Sequence, residues 1–178
     1  MSESFPRQYA RTQRFTLGEP RNVEVSPDGE RIVFLRSSAG DDPVNALWVF
    51  DVPTGEERMV ADPRALLDLE DPSGGDVTDE ERARRERTRD GSTGITSYAM
   101  DPEARVTAFA LNGQLFTAGL LSGRARRLTV DGPVHDPRPD PTASRLAYVS
   151  GPTLRIAELD GSSRVLAGDD GRDGPDVS

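Results

Sequence analysis

The chain has 178 residues, a mass of 19.3 kDa and a formal charge of −9, the scale of about one acidic domain. An acidic surface repels phosphate, which argues against nucleic-acid binding and against docking on anionic membranes. There is no cysteine and a single histidine, His135, so disulfides, thiol chemistry and histidine-rich metal sites are excluded. The first residues, Met1-Ser2-Glu3-Ser4-Phe5-Pro6-Arg7, lack an apolar segment behind a basic start. The longest strongly apolar run is Ala46–Phe50, far short of the ~20 residues that span a bilayer. A cytoplasmic protein that holds neither metal nor cofactor is expected.

Three segments repeat one pattern. After an N-terminal arm over 1–21, residues 22–62 carry Val23–Val25, the turn Ser26-Pro27-Asp28-Gly29, Arg31–Leu35, Leu47–Asp51, the turn Pro53-Thr54-Gly55 and Glu57–Val60. Residues 95–131 carry Tyr98–Asp101, Pro102, Val106–Ala110, Gln114–Thr117, the turn Ser122-Gly123 and Ala125–Thr129. Residues 132–168 carry Asp136–Pro141, Leu146–Val149, Leu154–Ala157, the turn Asp160-Gly161 and Arg164–Leu166. Short apolar or alternating runs bounded by turn residues predict strands, four to each segment. Pro27 presets φ for a turn, and Asp28-Gly29 supplies a side-chain cap and a positive φ. Pro102 and Pro141 fill the matching place.

Between the first two segments, 63–94 form a loop and helical insertion. Thr78-Asp79-Glu80-Glu81 has the form of a capping box, and Glu80–Arg84 and Glu81–Arg85 are spaced as i,i+4 pairs. This stretch is expected to be the one helix of the chain. Residues 169–178 are read as a flexible tail.

A repeat of ~40 residues with four strands is the grammar of a propeller blade. The fold class is therefore all-β: about three four-stranded blades, an incomplete β-propeller, with one short helical insertion. Closed propellers have ~4–8 blades, so three leave open sheet edges for a partner or for self-association to cover.

Candidate chemistry is sparse. Arg82, Arg84, Arg85, Arg87 and Arg89 are balanced by Asp79, Glu80, Glu81, Glu86 and Asp90, as on a solvated helix. His135 and Asp136 are adjacent, and adjacent residues of an extended segment point to opposite faces. Gly161-Ser162-Ser163-Arg164-Val165 lacks the last glycine of a nucleophile elbow. Gly168, Gly171 and Gly174 match neither a dinucleotide fingerprint nor a phosphate loop, and they lie among aspartates. Trp48 and Phe50 share a strand face, either as packing between sheets or as a stacking surface for a ligand. No catalytic, metal or cofactor residue is assigned, and the substrate-binding residues are left open.

Asn22–Arg36, Leu47–Asp51 with Thr54-Gly55, and Glu80–Arg87 followed by Gly94-Ile95 and Tyr98 resemble the opening blades and helical insertion of dipeptidyl-peptidase-IV-type members of the prolyl oligopeptidase (S9) serine peptidase family. The resemblance covers most of residues 9–178. It implies a propeller that caps a C-terminal α/β-hydrolase domain, filters peptide substrates by size and holds their free amine with acidic residues. Glu56-Glu57 and Glu80-Glu81 stand in the wrong places for that amine-binding pair, and the role is not transferred to them. The alternative is a non-catalytic propeller module that binds a protein partner.

Overall fold

The computed structural model describes residues 4–68 and 94–168. Along the chain lie α1 (Phe5–Arg11), β1 (Arg21–Val25), β2 (Arg31–Ser37), β3 (Asn45–Asp51), β4 (Glu56–Ala61), α2 (Pro63–Asp68), β5 (Ala99–Met100), β6 (Val106–Leu111), β7 (Gln114–Gly119), β8 (Arg124–Leu128), β9 (His135–Pro139), β10 (Arg145–Ser150), β11 (Thr153–Glu158) and β12 (Ser163–Ala167). The strands form three four-stranded antiparallel sheets, β1-β2-β3-β4, β5-β6-β7-β8 and β9-β10-β11-β12, each a simple meander. Two compact units result: Met1–Thr96 with the first sheet, and Ser97–Ser178 with the other two.

Each sheet opens on the same turn. The amides of Ser26, Asp101 and Asp140 bond the carbonyls of Arg31, Val106 and Arg145, and the carbonyls of Ser26, Asp101 and Asp140 accept from Gly29, Ala104 and Ala143. Pro27, Pro102 and Pro141 each follow the first of these residues, the matched position that the repeat predicts. The leading side chain then caps the turn. Asp101 accepts from the amides of Arg105 and Val106 at 2.8 and 2.7 Å, and Asp140 from those of Ser144 and Arg145 at 2.7 and 3.0 Å. In the first sheet the shorter Ser26 hydroxyl accepts from the Arg31 amide and donates to Asp28, whose carboxylate takes the Glu30 amide. The fourth turn residue is left-handed in all three: Gly29 at φ 72°, Ala104 at 51° and Ala143 at 56°.

The pairing defines two faces on each sheet. We call front the face that carries Ile32 opposite Phe50 and Phe34 opposite Trp48 in the first sheet. Its equivalents are Thr107 opposite Ala118 and Phe109 opposite Phe116 in the second, and Leu146 opposite Ala157 and Tyr148 opposite Arg155 in the third. The back face carries Val33, Leu35, Leu47 and Val49 in the first sheet, all buried. In the second unit, the front of the third sheet (Leu146, Tyr148, Ala157) buries itself against the back of the second (Ala108, Leu115, Leu128), with Val134 between them. Burial of each large side chain contributes ~1.5–3 kcal/mol. Two arginines fasten the seam: Arg105 donates to the Pro141 carbonyl and Arg126 to the Leu159 carbonyl, both at 3.1 Å.

The predicted helix over Thr78–Arg89 lies outside the described residues. Two short helices stand elsewhere, in segments read as arm and loop. Pro6 in the first turn of α1 and Asp62-Pro63 at the start of α2 are local start signals, because proline presets φ where no amide partner is needed. The Asp62 carboxylate accepts the Arg64 amide at 2.9 Å. The Arg64 side chain reaches back to Asp42 in the β2–β3 connection, with both nitrogens on both carboxylate oxygens at 3.1 and 2.8 Å. Ser38 and the Val44 amide complete the cage around Asp42. After the insertion, the chain re-enters the sheet at Gly94, which bridges Asn45 with φ 74°. A Cβ there would collide with the Asn45 backbone, so this left-handed, crowded position needs glycine.

Two outcomes follow for stability. Alanine at positive φ costs ~1 kcal/mol relative to glycine. Ala143 is half-buried and loses little methyl packing, so Ala143→Gly should raise stability by about 1 kcal/mol in urea titration. At fully buried Ala104 the lost methyl offsets the gain, by ~0.8 kcal/mol, and Ala104→Gly should be near neutral. Separately, the Arg64 hydrogen bonds hold the Asp42 carboxyl down at about 2, with help from Val44 and Ser38 and against the opposing push of burial. A lowered folded pKa gives stability that is present above the ordinary value near 3.8 and is lost as pH falls toward 2. Asp42→Asn should therefore melt lower than the parent at pH 7, by about 1 kcal/mol given the half-exposed arginine, and the gap should close between pH 4 and 2.

Candidate functional site

The front face of the first sheet gathers aromatic, cationic and acidic groups. Alternation along β2 places Ile32, Phe34 and Arg36 on it; β3 adds Trp48 and Phe50; register with β4 adds Met59 opposite Trp48 and Glu57 opposite Phe50. The Arg36 guanidinium lies over the Trp48 ring, 4.6 Å from its centroid, and 5.5 Å from that of Phe34. The Trp48 indole N–H donates to the Arg36 carbonyl at 2.9 Å. Both terminal nitrogens of Arg36 meet the two oxygens of Glu57, one at 3.1 Å. The guanidinium is thus held flat between a ring and a carboxylate, a geometry that lysine cannot reproduce. A cation over an aromatic face contributes ~0.5–1 kcal/mol when exposed and ~2 when desolvated; the Arg36 side chain is three-quarters covered.

Trp48 is packed within its own sheet, under Arg36. The ring face of Trp48 is occupied by the protein's own Arg36 and does not stand free for a ligand. Glu57 is tied to Arg36, while Glu56, paired opposite Asp51, points to the other face. The two glutamates do not converge as a carboxylate pair. Glu80-Glu81, the Arg82–Arg89 cluster, Gly171 and Gly174 lie outside the described residues.

The remaining candidates are used up locally. His135 begins β9, exposed and opposite Val149, while Asp136 pairs with Arg138 at 2.7 Å rather than orienting the imidazole. The Ser162 hydroxyl and amide both bond the Asp160 carboxylate, at 2.7 and 2.8 Å, and these bonds hold that carboxyl below its usual range. Ser162 is therefore a turn serine. Among the described residues no cluster of three or more acidic or histidine side chains could hold a metal ion. A groove beside α1, lined by Arg11, Thr12, Phe15, Leu17, Gly40 and Asp41, has its charges paired, Arg11 to Asp41 at 3.0 Å.

The Arg36–Trp48–Glu57 arrangement was not read from the sequence. In the sequence Arg36 stands out only as the end of the Asn22–Arg36 resemblance, and Glu57 as the start of the Glu57–Val60 run and half of an adjacent pair. The available signal was the period of two, which sets Arg36 on the face of Phe34, but the link to Glu57 needs the β3–β4 register.

No protein-family model matches the chain. Solved structures do. A prolyl endopeptidase aligns with a TM-score of 0.58 and 15% identity over 93% of this chain and 25% of its own. Tricorn protease aligns at 0.52 and 10% identity over 85% of this chain and 13% of its own. A protein assigned as TolB from Agrobacterium tumefaciens aligns at 0.51 and 14% identity over 86% of this chain and 49% of its own. At these identities the likeness is one of fold: the three sheets are propeller blades, too few for a closed ring. The chain spans from about an eighth to half the length of these proteins.

Trp48 is the sole tryptophan and reports on the site directly. Arg36→Ala should uncover it, shift its emission to the red and cost about 1–2 kcal/mol of stability. Arg36→Lys should fall between Arg36→Ala and the parent.

Proposed function

We propose that this chain is the N-terminal propeller portion of a dipeptidyl-peptidase-IV-type serine peptidase of the prolyl oligopeptidase family, and that it gates peptide access to an α/β-hydrolase domain outside these 178 residues. The observation that carries the reading is the match of nearly the whole chain to a quarter of a prolyl endopeptidase. The resemblance of Asn22–Arg36, Leu47–Asp51 and Glu80–Arg87 to the opening of such peptidases supports it. So does the chemistry of the described residues, whose hydroxyls and carboxylates serve turns and ion pairs. In this reading the blades act by shape. They exclude folded proteins and admit short peptides, and the catalytic serine is supplied by the hydrolase partner. The reading places the enzyme in the cytoplasm.

A second reading is a non-catalytic propeller module that binds a protein partner. The likeness to a protein assigned as TolB, across 49% of that chain, favours it, because it ties the same sheets to a protein that is not named as a peptidase.

The native polypeptide separates the two. Immunoblotting of the host extract should show a product several times heavier than 19.3 kDa that cleaves X-Pro chromogenic peptides, whereas the purified 178-residue chain should not cleave them. A native product of 19.3 kDa, or hydrolysis that tracks the purified short chain, overturns the peptidase-propeller reading.

A further inference from the structure

Within the second unit, one hairpin tip sets an exposed carboxamide beside an unshielded backbone amide. Leu111 pairs with Gln114, so Asn112 and Gly113 alone make the β6–β7 turn. Both are left-handed, at φ 50° and 75°, the geometry that an Asn-Gly pair favours in a two-residue hairpin. Asn112 is exposed. Among the described residues, neither its side-chain amide nor the Gly113 N–H has a hydrogen-bond partner. The Gly113 carbonyl, by contrast, accepts the Val134 amide at 2.8 Å, and the Val134 side chain is buried in the core between the second and third sheets. The tip of this hairpin therefore holds the β8–β9 connection at the point where it carries a residue into the core.

We propose that Asn112 is a site of spontaneous modification, deamidation with isomerisation, and that the modified turn loosens the second unit. The Gly113 amide nitrogen attacks Cγ of Asn112. The new C–N bond closes a five-membered succinimide, and the side-chain nitrogen leaves as ammonia, taking up the Gly113 amide proton. Water then opens the ring at either carbonyl. Opening at Cγ gives an aspartate on the ordinary backbone. Opening at the other carbonyl gives an isoaspartate, whose backbone runs through Cβ and Cγ and is one carbon longer. Glycine favours ring closure on two counts: it has no Cβ to hinder the attack, and its backbone turns freely. An exposed hairpin tip also opens more readily than a buried strand, which lets the nitrogen swing onto Cγ. The other two asparagines are held back. Asn22 precedes the stiff, β-branched Val23, and its side-chain amide donates to the Thr96 carbonyl at 3.4 Å. Asn45 precedes Ala46 at the start of β3, where its carbonyl accepts the Ile95 amide. The two products differ in effect. The aspartate keeps the turn, because Asp-Gly suits the same geometry. The isoaspartate does not, because its extra backbone carbon cannot be fitted between Leu111 and Gln114 while their pairing and the Val134 bond are both kept. The inference is independent of the peptidase reading, and neither outcome below bears on that reading.

The test is ageing of the purified protein in mildly alkaline buffer at 37 °C, followed by peptide mapping and calorimetry. The tryptic peptide Val106–Arg124 should gain the mass of an acid in place of an amide, and isoaspartyl methyltransferase should label it, with fragmentation placing the change at Asn112. Peptides that contain Asn22 or Asn45 should keep their mass. The aged protein should develop a fraction that melts lower by roughly 5 °C, a shift expected of one lost fastening in a unit of this size. Fresh Asn112→Asp should melt with the fresh parent, which separates the longer backbone from the added charge. Asn112→Gly keeps a turn-forming pair without the reacting amide, and its melting should not change on ageing. An unmodified Asn112, conversion of Asn22 or Asn45 at the same rate, or isoaspartate formed without the lower-melting fraction overturns the proposal.

Discussion

A four-stranded sheet with apolar side chains on both faces can bury them only between two neighbours. The sheets of this protein are built that way. The middle of β3, Ala46-Leu47-Trp48-Val49-Phe50, and the middle of β2, Ile32-Val33-Phe34-Leu35, put apolar side chains on both faces. Most small antiparallel sheets turn one polar face to water and need a single cover. Here alternation separates two apolar faces instead, and stacking of sheets becomes the only economical arrangement. The second unit meets that demand once, where Tyr148 and Leu146 enter the core formed with Leu115 and Leu128.

Where the demand is unmet, the protein covers itself with charge. Arg36 occupies the position that is Leu111 in the second sheet and Ser150 in the third, and it folds over Trp48 and Phe34 with Glu57 as its counter-ion. A guanidinium is weakly hydrated and planar, so it can lie on a ring and still be satisfied at its edge. The same residue therefore shields an aromatic face from water and keeps it from being a plain hydrophobic patch. A face covered in this way still resembles, in its apolar part, the surfaces that join the other sheets.

The turns explain why so little chemistry is left over. Among the described residues, carboxylates and a hydroxyl that could act on a substrate are spent on turns: Asp101, Asp140 and Asp160 accept backbone amides, and the Ser162 hydroxyl donates to Asp160. Each carboxylate satisfies donors that a tight hairpin would otherwise leave exposed.

The sequence by itself determined the strands, their grouping in fours and the matched prolines, because turn formation is local: Pro27, Pro102 and Pro141 with their neighbours fix φ and supply caps within five residues. The starts of α1 and α2 were written just as locally, in Pro6 and Asp62-Pro63, though the wider pattern read those segments as arm and loop. What only the tertiary structure decided is which side chains meet across strands and sheets. The Arg36–Trp48–Glu57 cluster depends on the register of three strands, including the irregularity between Leu47 and Trp48 that sets Met59 opposite Trp48. The clip from Arg64 to Asp42 joins residues 22 apart through the placement of a helix on a loop. Register and packing are settled by the summed fit of many distant side chains, and no short stretch of sequence carries that sum.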